Sequence, residues 1–411
     1  MTREQLLEIM QQIMHDSDHP LLAASMGIIQ EGNILFAETI GMCHLSPDVP
    51  ATCTTKYRMA SISKLMTATG IWQQVEQKRL DMHTDVSDYL GFRLRNPRFP
   101  DTPITLGMLL SHTSSVRESD DEHRCTYNLP ATCAVSAFFD PQNSCYDPQC
   151  WGPDEPGTFY SYCNFNYGLL GTILESVTGE RFDDYMNRHL FEPLSLDCGF
   201  YVPSMKQEAQ RAIGTLYRKL NAQGESDAHN GIWTPQVDDY SQGFPTDAHA
   251  HYIPGRNATV FSPQGGLRAS IRDLLTLMLS FMGKGPALLR PETIEDMFRP
   301  VWTYDEQLHN GDNPADQCYG RGPQIYLNRP GLDRLSNRFR LPFAGHGAGA
   351  YGLLGTLGMD LHRQNGLVVI AIGTGCASYP GVYSHNNHWE EQMIEAAAEF
   401  ADFGYPSYDI S

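Results

Sequence analysis

Long apolar runs, lysine and familiar metal-binding motifs are what this sequence has least of. No stretch of 18 or more apolar residues occurs in its 411 residues, and a helix needs about that many to cross a bilayer, so no membrane span is expected. The opening residues, Met1 to Met10, are acidic and helix-periodic, without the apolar centre of a secretory leader. Basic residues are outnumbered, 29 Lys and Arg against 48 Asp and Glu, for a formal charge of −19. A field of that sign repels polyanions, which excludes nucleic acid as the expected partner. No H-E-x-x-H is present, and neither a metal nor another cofactor is expected.

What is there describes an ordinary globular protein. Hydrophobic residues make up 41%, aromatic residues 10% and charged residues 19%, with a mean hydropathy of −0.36, outside the disordered and membrane ranges. The length predicts two or three structural units at about 150 residues each. Ten cysteines are many for a cytosolic enzyme, and Cys125, Cys133, Cys145 and Cys150 fall in one polar stretch. Local bridges Cys125–Cys133 and Cys145–Cys150, with Cys43–Cys53 clamping a hairpin, are expected there, with free thiols the alternative, and the clustering favours an exported or periplasmic location.

Periodicity sketches the organisation. Residues 2–15 carry apolar positions at helical spacing. Ala23 to Gln30 and Asn33 to Gly41 read as a hairpin across Glu31-Gly32. Met59 to Leu80 reads as a long helix, and residues 81–264 as helices and long loops with scarce strand signals, including Phe165 to Thr178 stopped by Gly179. The polar text from Gln207 to Pro263 reads as a surface excursion. Helical text from Ser270 to Met282, strands at Tyr351 to Met359 and Gly366 to Thr374, and a helix from His388 to Phe400 complete the chain. The expectation is an α/β (α+β) fold, an antiparallel sheet flanked by terminal helices. Residues 1–85 and 265–411 would build the discontinuous sheet domain, residues 86–264 an inserted helical domain, with the site in the cleft between them.

Of the six lysines, only Lys64 has serine three positions earlier, Ser61. On a helix such residues lie about 5–6 Å apart on one face. Apolar neighbours Ala60, Ile62, Leu65 and Met66 promise a dry setting, which lowers a lysine pKa toward the range where the amine accepts a proton. Backbone N–H groups at the helix start would stabilise an oxyanion. The same tetrapeptide fits a capping serine and a surface lysine equally well. Tyr162-Cys163-Asn164 precedes a helix with two polar tips, one suited to relaying a proton and one to holding a carbonyl; a core tyrosine and a capping asparagine are the alternative. Gly345-His346-Gly347-Ala348-Gly349-Ala350-Tyr351-Gly352 has the glycine content of a strand passing close to a ligand, or of a bulge.

The order S-x-x-K, Y-x-N, H-x-x-G resembles the serine β-lactamase-like superfamily in its class C branch, with the D-alanyl-D-alanine carboxypeptidases, D-aminopeptidases and family VIII esterases. Met59 to Lys64, Arg79 to Asp81, Asp85 to Leu90, Ile104 to Ser114, Pro156 to Thr158 and Gly265 to Leu274 share that group's habits, so the likeness runs from about residue 23 to 376. The resemblance implies Ser61 as acylated nucleophile, Lys64 as proton acceptor and Tyr162 as acid/base relay. It implies Asn164 as a substrate-orienting amide and His346 as a charged or hydrogen-bonding group facing the substrate or Tyr162. The N–H groups of Ser61 and Gly349 become the oxyanion donors. Ala348 departs from the glycine usual two positions after the Lys or His, so its methyl is expected to narrow the cleft or shift the register. His112 is expected to be structural and Cys163 a packing residue, with an oxidisable thiol the alternative.

The activity expected is a serine hydrolase acting through an acyl-enzyme on a peptide amide, ester or β-lactam carbonyl. A D-alanyl-D-alanine carboxypeptidase, D-aminopeptidase-like or esterase activity comes first, because histidine in the late motif resembles the peptidases more than efficient class C β-lactamases. The partner is then a small-molecule or peptide substrate. Alternatives are a catalytically weak member that binds peptide or cell-wall fragments, an acyltransferase, and a metallohydrolase using Asp247, His249 and His251.

Overall fold

The computed structural model describes residues 1–118, 129–313 and 318–408. Its strands are β1 (Ala23–Gln30), β2 (Asn33–Leu45), β3 (Asp48–Pro50), β4 (Tyr57–Arg58), β5 (Leu216–Leu220), β6 (Ile232–Val237), β7 (Arg268–Ala269), β8 (Trp302–Thr303), β9 (Cys318–Tyr319), β10 (Gln324–Ile325), β11 (Ala344–Ala350), β12 (Leu353–Asp360) and β13 (Asn365–Ile372). The α-helices are α1 (Arg3–Met14), α2 (Ser63–Glu76), α3 (Ser87–Leu90), α4 (Leu106–Leu110), α5 (Asn164–Thr178), α6 (Phe182–Met186), α7 (Gln207–Arg211), α8 (Ile271–Phe281), α9 (Pro291–Phe298) and α10 (His388–Ala401). Helix α1 starts where Thr2 Oγ1 accepts from Gln5 N (3.3 Å) and Gln5 Oε1 accepts from Thr2 N (2.8 Å), a reciprocal cap written in the sequence as T-x-x-Q.

Nine strands form one antiparallel sheet in the order β3-β2-β1-β13-β12-β11-β10-β9-β8. The two ends of the chain meet at its centre, where Ala23 lies opposite Ile372 and Ile28 opposite Leu367. Every residue of β13 is buried, and because side chains alternate along a strand, its two faces serve two cores. Val368 and Ile370 join the core of α2, α5 and α8; Leu367 and Val369 join the core of α1 and α10. Each such side chain contributes roughly 1.5–3 kcal/mol by leaving water.

The expected α/β fold with a large antiparallel sheet is present, with three differences of detail. First, the polar excursion contains a hairpin, β5 with β6, in which Lys219 faces Trp233. Pro235 and exposed positions in β6 hide its period. Second, the long helix expected from Met59 begins with a 3₁₀ turn, Ala60–Ile62, and ends at Glu76. Third, the cysteines do not pair by sequence spacing: Cys43, Cys53, Cys133, Cys145 and Cys150 are free thiols, while Cys125 lies outside the described residues. The chain turns back after Phe138, whose carbonyl accepts from Asp147 N at 3.1 Å. That return brings Cys145 to the Cys133 thiol, and their hydrogen bond is the main cause raising the Cys133 pKa. Cys43 instead donates to the carbonyls of Val49 and Pro50 at 3.4 and 3.5 Å. Among the described residues no helix is long and apolar enough to cross a membrane.

Candidate active site

Strand β4 pairs with β7, Tyr57 opposite Ala269, and Met59 N donates to Leu267 O at 2.8 Å. The chain then breaks from the strand at Ala60, whose φ of 43° is left-handed, a conformation that costs a non-glycine residue about 1–3 kcal/mol and persists where surroundings enforce it. Gly265 lies against the Ala60 backbone. The break delivers Ser61, partly exposed, to the turn that leads into α2.

Lys64, one turn on, is fully buried. Its Nζ donates to Ser61 Oγ (3.1 Å), Asn164 Oδ1 (2.8 Å) and the carbonyl of Gln264 (3.0 Å), and lies 4.8 Å from the ring centroid of Tyr162. All three acceptors are neutral. Burial therefore dominates and brings its pKa down to about 7, with the nearby Glu118 and Cys163 acting in the opposite sense.

Tyr162 reaches Ser61 from the strand-like approach to α5, its hydroxyl donating to Ser61 Oγ at 2.8 Å. The ring stacks on His112 at a centroid distance of 4.4 Å. His112 is itself fixed, its Nδ1 accepting from Cys163 N at 3.2 Å and its carbonyl accepting from Ser161 N at 2.9 Å. Burial, then the nearby Lys64, keeps that imidazole well below its usual range. The residue expected to support a loop thus lies directly behind the phenol. Cys163 is fully buried, and burial raises its thiol pKa well above the ordinary value, which suits a packing residue.

Asn164 opens α5 with both ends of its amide engaged. Oδ1 accepts from Lys64, while the backbone N and Nδ2 both donate to Glu118 Oε1 at 2.9 Å. Glu118 was not among the candidates read from sequence. It carries no motif, and only the return of the chain after the Ser111–Ser115 segment places it beside the helix.

His346 and Gly349 lie on β11, opposite Leu357 and Leu354 of β12. His346 is 3% exposed, and its Nδ1 donates to Gly347 O at 2.8 Å. Nε2 is buried without a hydrogen-bond partner among the described residues. Burial, then Lys64, lowers its pKa to about 3, so of the two characters expected of it, charged or hydrogen-bonding, the surroundings favour the neutral one. Its ring centroid is 6.3 Å from that of Tyr162.

Part of the glycine run answers to protein backbone instead of a ligand. A Cβ on Gly345 would lie 2.0 Å from the carbonyl oxygen of Leu357, and one on Gly352 would lie 2.1 Å from that of Tyr217. Gly349 borders a cavity of about 330 Å³ that opens beside Ser61. Ala348 does not line that cavity and packs in the main core at 7% exposure, so its methyl leaves the space open. The alternative set lies elsewhere: Asp247 accepts from Arg181 Nη1 (3.1 Å) and the Tyr201 hydroxyl (3.0 Å). No group of three or more His, Cys, Asp or Glu suited to a metal gathers among the described residues.

The arrangement is a hydroxyl between an amine of lowered pKa and a phenol, with a cavity and a backbone strand alongside. A family model described as Beta-lactamase matches residues 6–377. Penicillin-binding protein 4 of Amycolatopsis lactamdurans is 30% identical over 196 residues, 46% of each chain. Protein flp of Staphylococcus aureus is 26% identical over 194 residues, 46% of this chain and 37% of its own. The chain therefore spans less than half the length of the curated relatives it matches. The octameric penicillin-binding protein homologue of Pyrococcus abyssi superposes with a TM-score of 0.70 at 21% identity, covering 99% of this chain and 78% of the other. D-amino acid amidase of Ochrobactrum anthropi does so at 0.64 and 16%, covering 97% and 99%. At these identities the structural likeness speaks for the fold, and the family model speaks for descent: the chain belongs to the Beta-lactamase family, a family of hydrolases built on this fold.

Proposed function

We propose that the protein is a serine hydrolase that forms an acyl-enzyme on Ser61 and acts on peptide amides or esters, with D-alanyl-D-alanine carboxypeptidase, D-aminopeptidase-like or esterase activity. One observation carries this reading: Ser61 Oγ lies within hydrogen-bond reach of both Lys64 Nζ (3.1 Å) and the Tyr162 hydroxyl (2.8 Å), and the amine has a pKa of about 7. The names of an amidase and of penicillin-binding relatives are consistent with it.

In the neutral form of Lys64 two N–H groups stay on Asn164 Oδ1 and Gln264 O, and the lone pair faces Ser61. The Ser61 proton moves to that amine as Oγ bonds to the substrate carbonyl carbon. The N–H groups of Ser61 and Gly349 receive the oxyanion. Tyr162 gives its proton to the leaving nitrogen or oxygen and is reprotonated from Lys64, so the carbonyl re-forms as the leaving bond breaks. Water then attacks the ester, giving one proton back through the same groups, and releases a carboxylic acid and free Ser61. Asn164 acts here through Lys64, since its amide donor is held by Glu118.

A fluorophosphonate or labelled penicillin is expected to add its mass to the peptide bearing Ser61; unmodified Ser61 under both probes sinks the proposal. Turnover of D-alanyl peptides, D-amino-acid amides, 4-nitrophenyl esters and nitrocefin then separates the activities.

A further inference from the structure

The cavity beside Ser61 has a chemistry of its own. Its walls include Arg58, Ser61, Arg218, Gln236, Gly349 and Tyr351. Neither Lys64, Tyr162 nor His346 lines it. That division has a meaning under the acyl-enzyme reading, on which this inference rests. The leaving group must depart toward the groups that protonate it, Tyr162 and Lys64. Whatever stays bonded to Ser61 after acylation occupies the other side, next to the Gly349 backbone. The cavity therefore takes the acyl portion of the substrate.

Two guanidinium groups and no carboxylate face this space, in a protein whose formal charge is −19. Arg58 is anchored, its Nη2 donating to Ser262 Oγ (3.0 Å) and its Nε to Gly265 O (3.3 Å), with its Cζ 5.5 Å from the Tyr351 ring centroid. Arg218, on the hairpin strand β5, pairs through its backbone with Thr234 and is exposed, and its guanidinium makes no hydrogen bond or ion pair among the described residues. The nearby buried carboxylate, Asp238, is held by Arg268, at 2.6 Å to Nη2 and 3.0 Å to Nε. Arg58 also acts on it, but the Arg268 charge offsets it, and Arg218 is left as the cation of the cavity without a carboxylate partner. Guanidinium forks match carboxylates bidentately, and charge-assisted bonds of that kind are roughly twice as strong as neutral ones. A neutral acyl chain needs neither arginine. The Tyr351 ring and the Gln236 amide add an apolar flank and a polar tip along the same wall.

We infer that the cavity lined by Arg58 and Arg218 is an acyl-side subsite for an anionic group, so that the favoured substrates are amides or esters of acids bearing a second carboxylate on the acyl chain. The β5–β6 hairpin, which Gly352 admits by letting the Tyr217 carbonyl approach, is the element that sets this preference.

The test compares mono-4-nitrophenyl adipate with its methyl ester, which differ in one charge at the far end of the acyl chain. The wild-type protein is expected to favour the anionic ester in kcat/KM by tenfold or more. Arg218→Ala is expected to reduce that ratio at least tenfold, and Arg218→Glu to bring it below one. Lys284→Glu, a charge change of the same sign away from the cavity, is expected to leave the ratio as it is. A wild-type ratio of one or less, or a ratio that neither Arg218 variant moves, overturns the inference. Calorimetric binding of monomethyl adipate against dimethyl adipate reads the same preference without turnover. Charge-selective, Arg218-dependent binding with an unreactive Ser61 supports the subsite while overturning the acyl-enzyme reading. Turnover of both esters with no dependence on Arg218 does the reverse.

Discussion

Two buried lysines stand eight positions apart and have been given opposite surroundings. Lys56, 7% exposed, meets the Asp273 carboxylate at 2.6 Å, and the other bonds of that oxygen go to Ser270 N and Oγ, both at 2.8 Å. Lys64, fully buried, meets only neutral oxygens, and its carboxylate neighbour Glu118 stands behind Asn164. A direct counter-ion turns a buried lysine into a tie between β4 and the start of α8. Withholding one leaves an amine whose proton is loosely held near neutral pH. The contrast separates a lysine that holds the site's platform from one suited to chemistry.

The sharpest way to break this contrast is to remove each amine in turn. Lys64→Met is expected to lower kcat/KM for a 4-nitrophenyl ester by 10³-fold or more, within the range general bases supply, while urea denaturation shows a folded protein. Lys56→Met is expected to do the converse: stability falls by about 3–5 kcal/mol, because Asp273 is left buried and uncompensated. If both variants lose activity at unchanged stability, the contrast fails.

A finer probe is pH. If Lys64 accepts the Ser61 proton as proposed, its neutral form is the active one, and kcat/KM is expected to rise with pH through about 7 and to level off above it. Glu118→Gln keeps an acceptor for Asn164 but removes a charge that raises the Lys64 pKa, so the acidic limb is expected to move to lower pH. A limb that stays in place would show that Lys64 does not set it. The smallest effect is expected from Glu118→Ala compared with Glu118→Gln: an additional loss of a few fold in kcat, measured above the limb, as the Asn164 amide loses its anchor.

How much of this was legible in the text of the chain differs by element. The β1–β2 hairpin and helices α1, α8 and α10 follow from period, because their apolar residues recur on one face, with Thr2, Ser270 and Asn387 at the helix starts, while α5, buried nearly all round, follows from its apolar run and its stop at Gly179. The S-x-x-K pair was legible because four residues of one turn fix the geometry. Glu118 was not, since its place depends on a loop returning to α5. The β5–β6 hairpin was hidden for a related reason: Pro235 and exposed side chains erase alternation, and the backbone it packs against, Gly352 beside Tyr217 and Gly373 beside Trp233, comes from far along the chain. Cysteine spacing misled because proximity in sequence is not proximity after a turn, as Cys145 beside Cys133 makes plain.

The placement of β13 bears on how the molecule comes into being. During synthesis Ser61 and Lys64 emerge early, and β1 waits with one edge unpaired until residues 365–372 arrive to fill the middle of the sheet. Non-local pairing of this kind is slow and leaves an adhesive edge exposed meanwhile. A ribosome-bound chain stopped before Asn365 would therefore carry Ser61 and Lys64 while still lacking the strand that covers the open edge of β1.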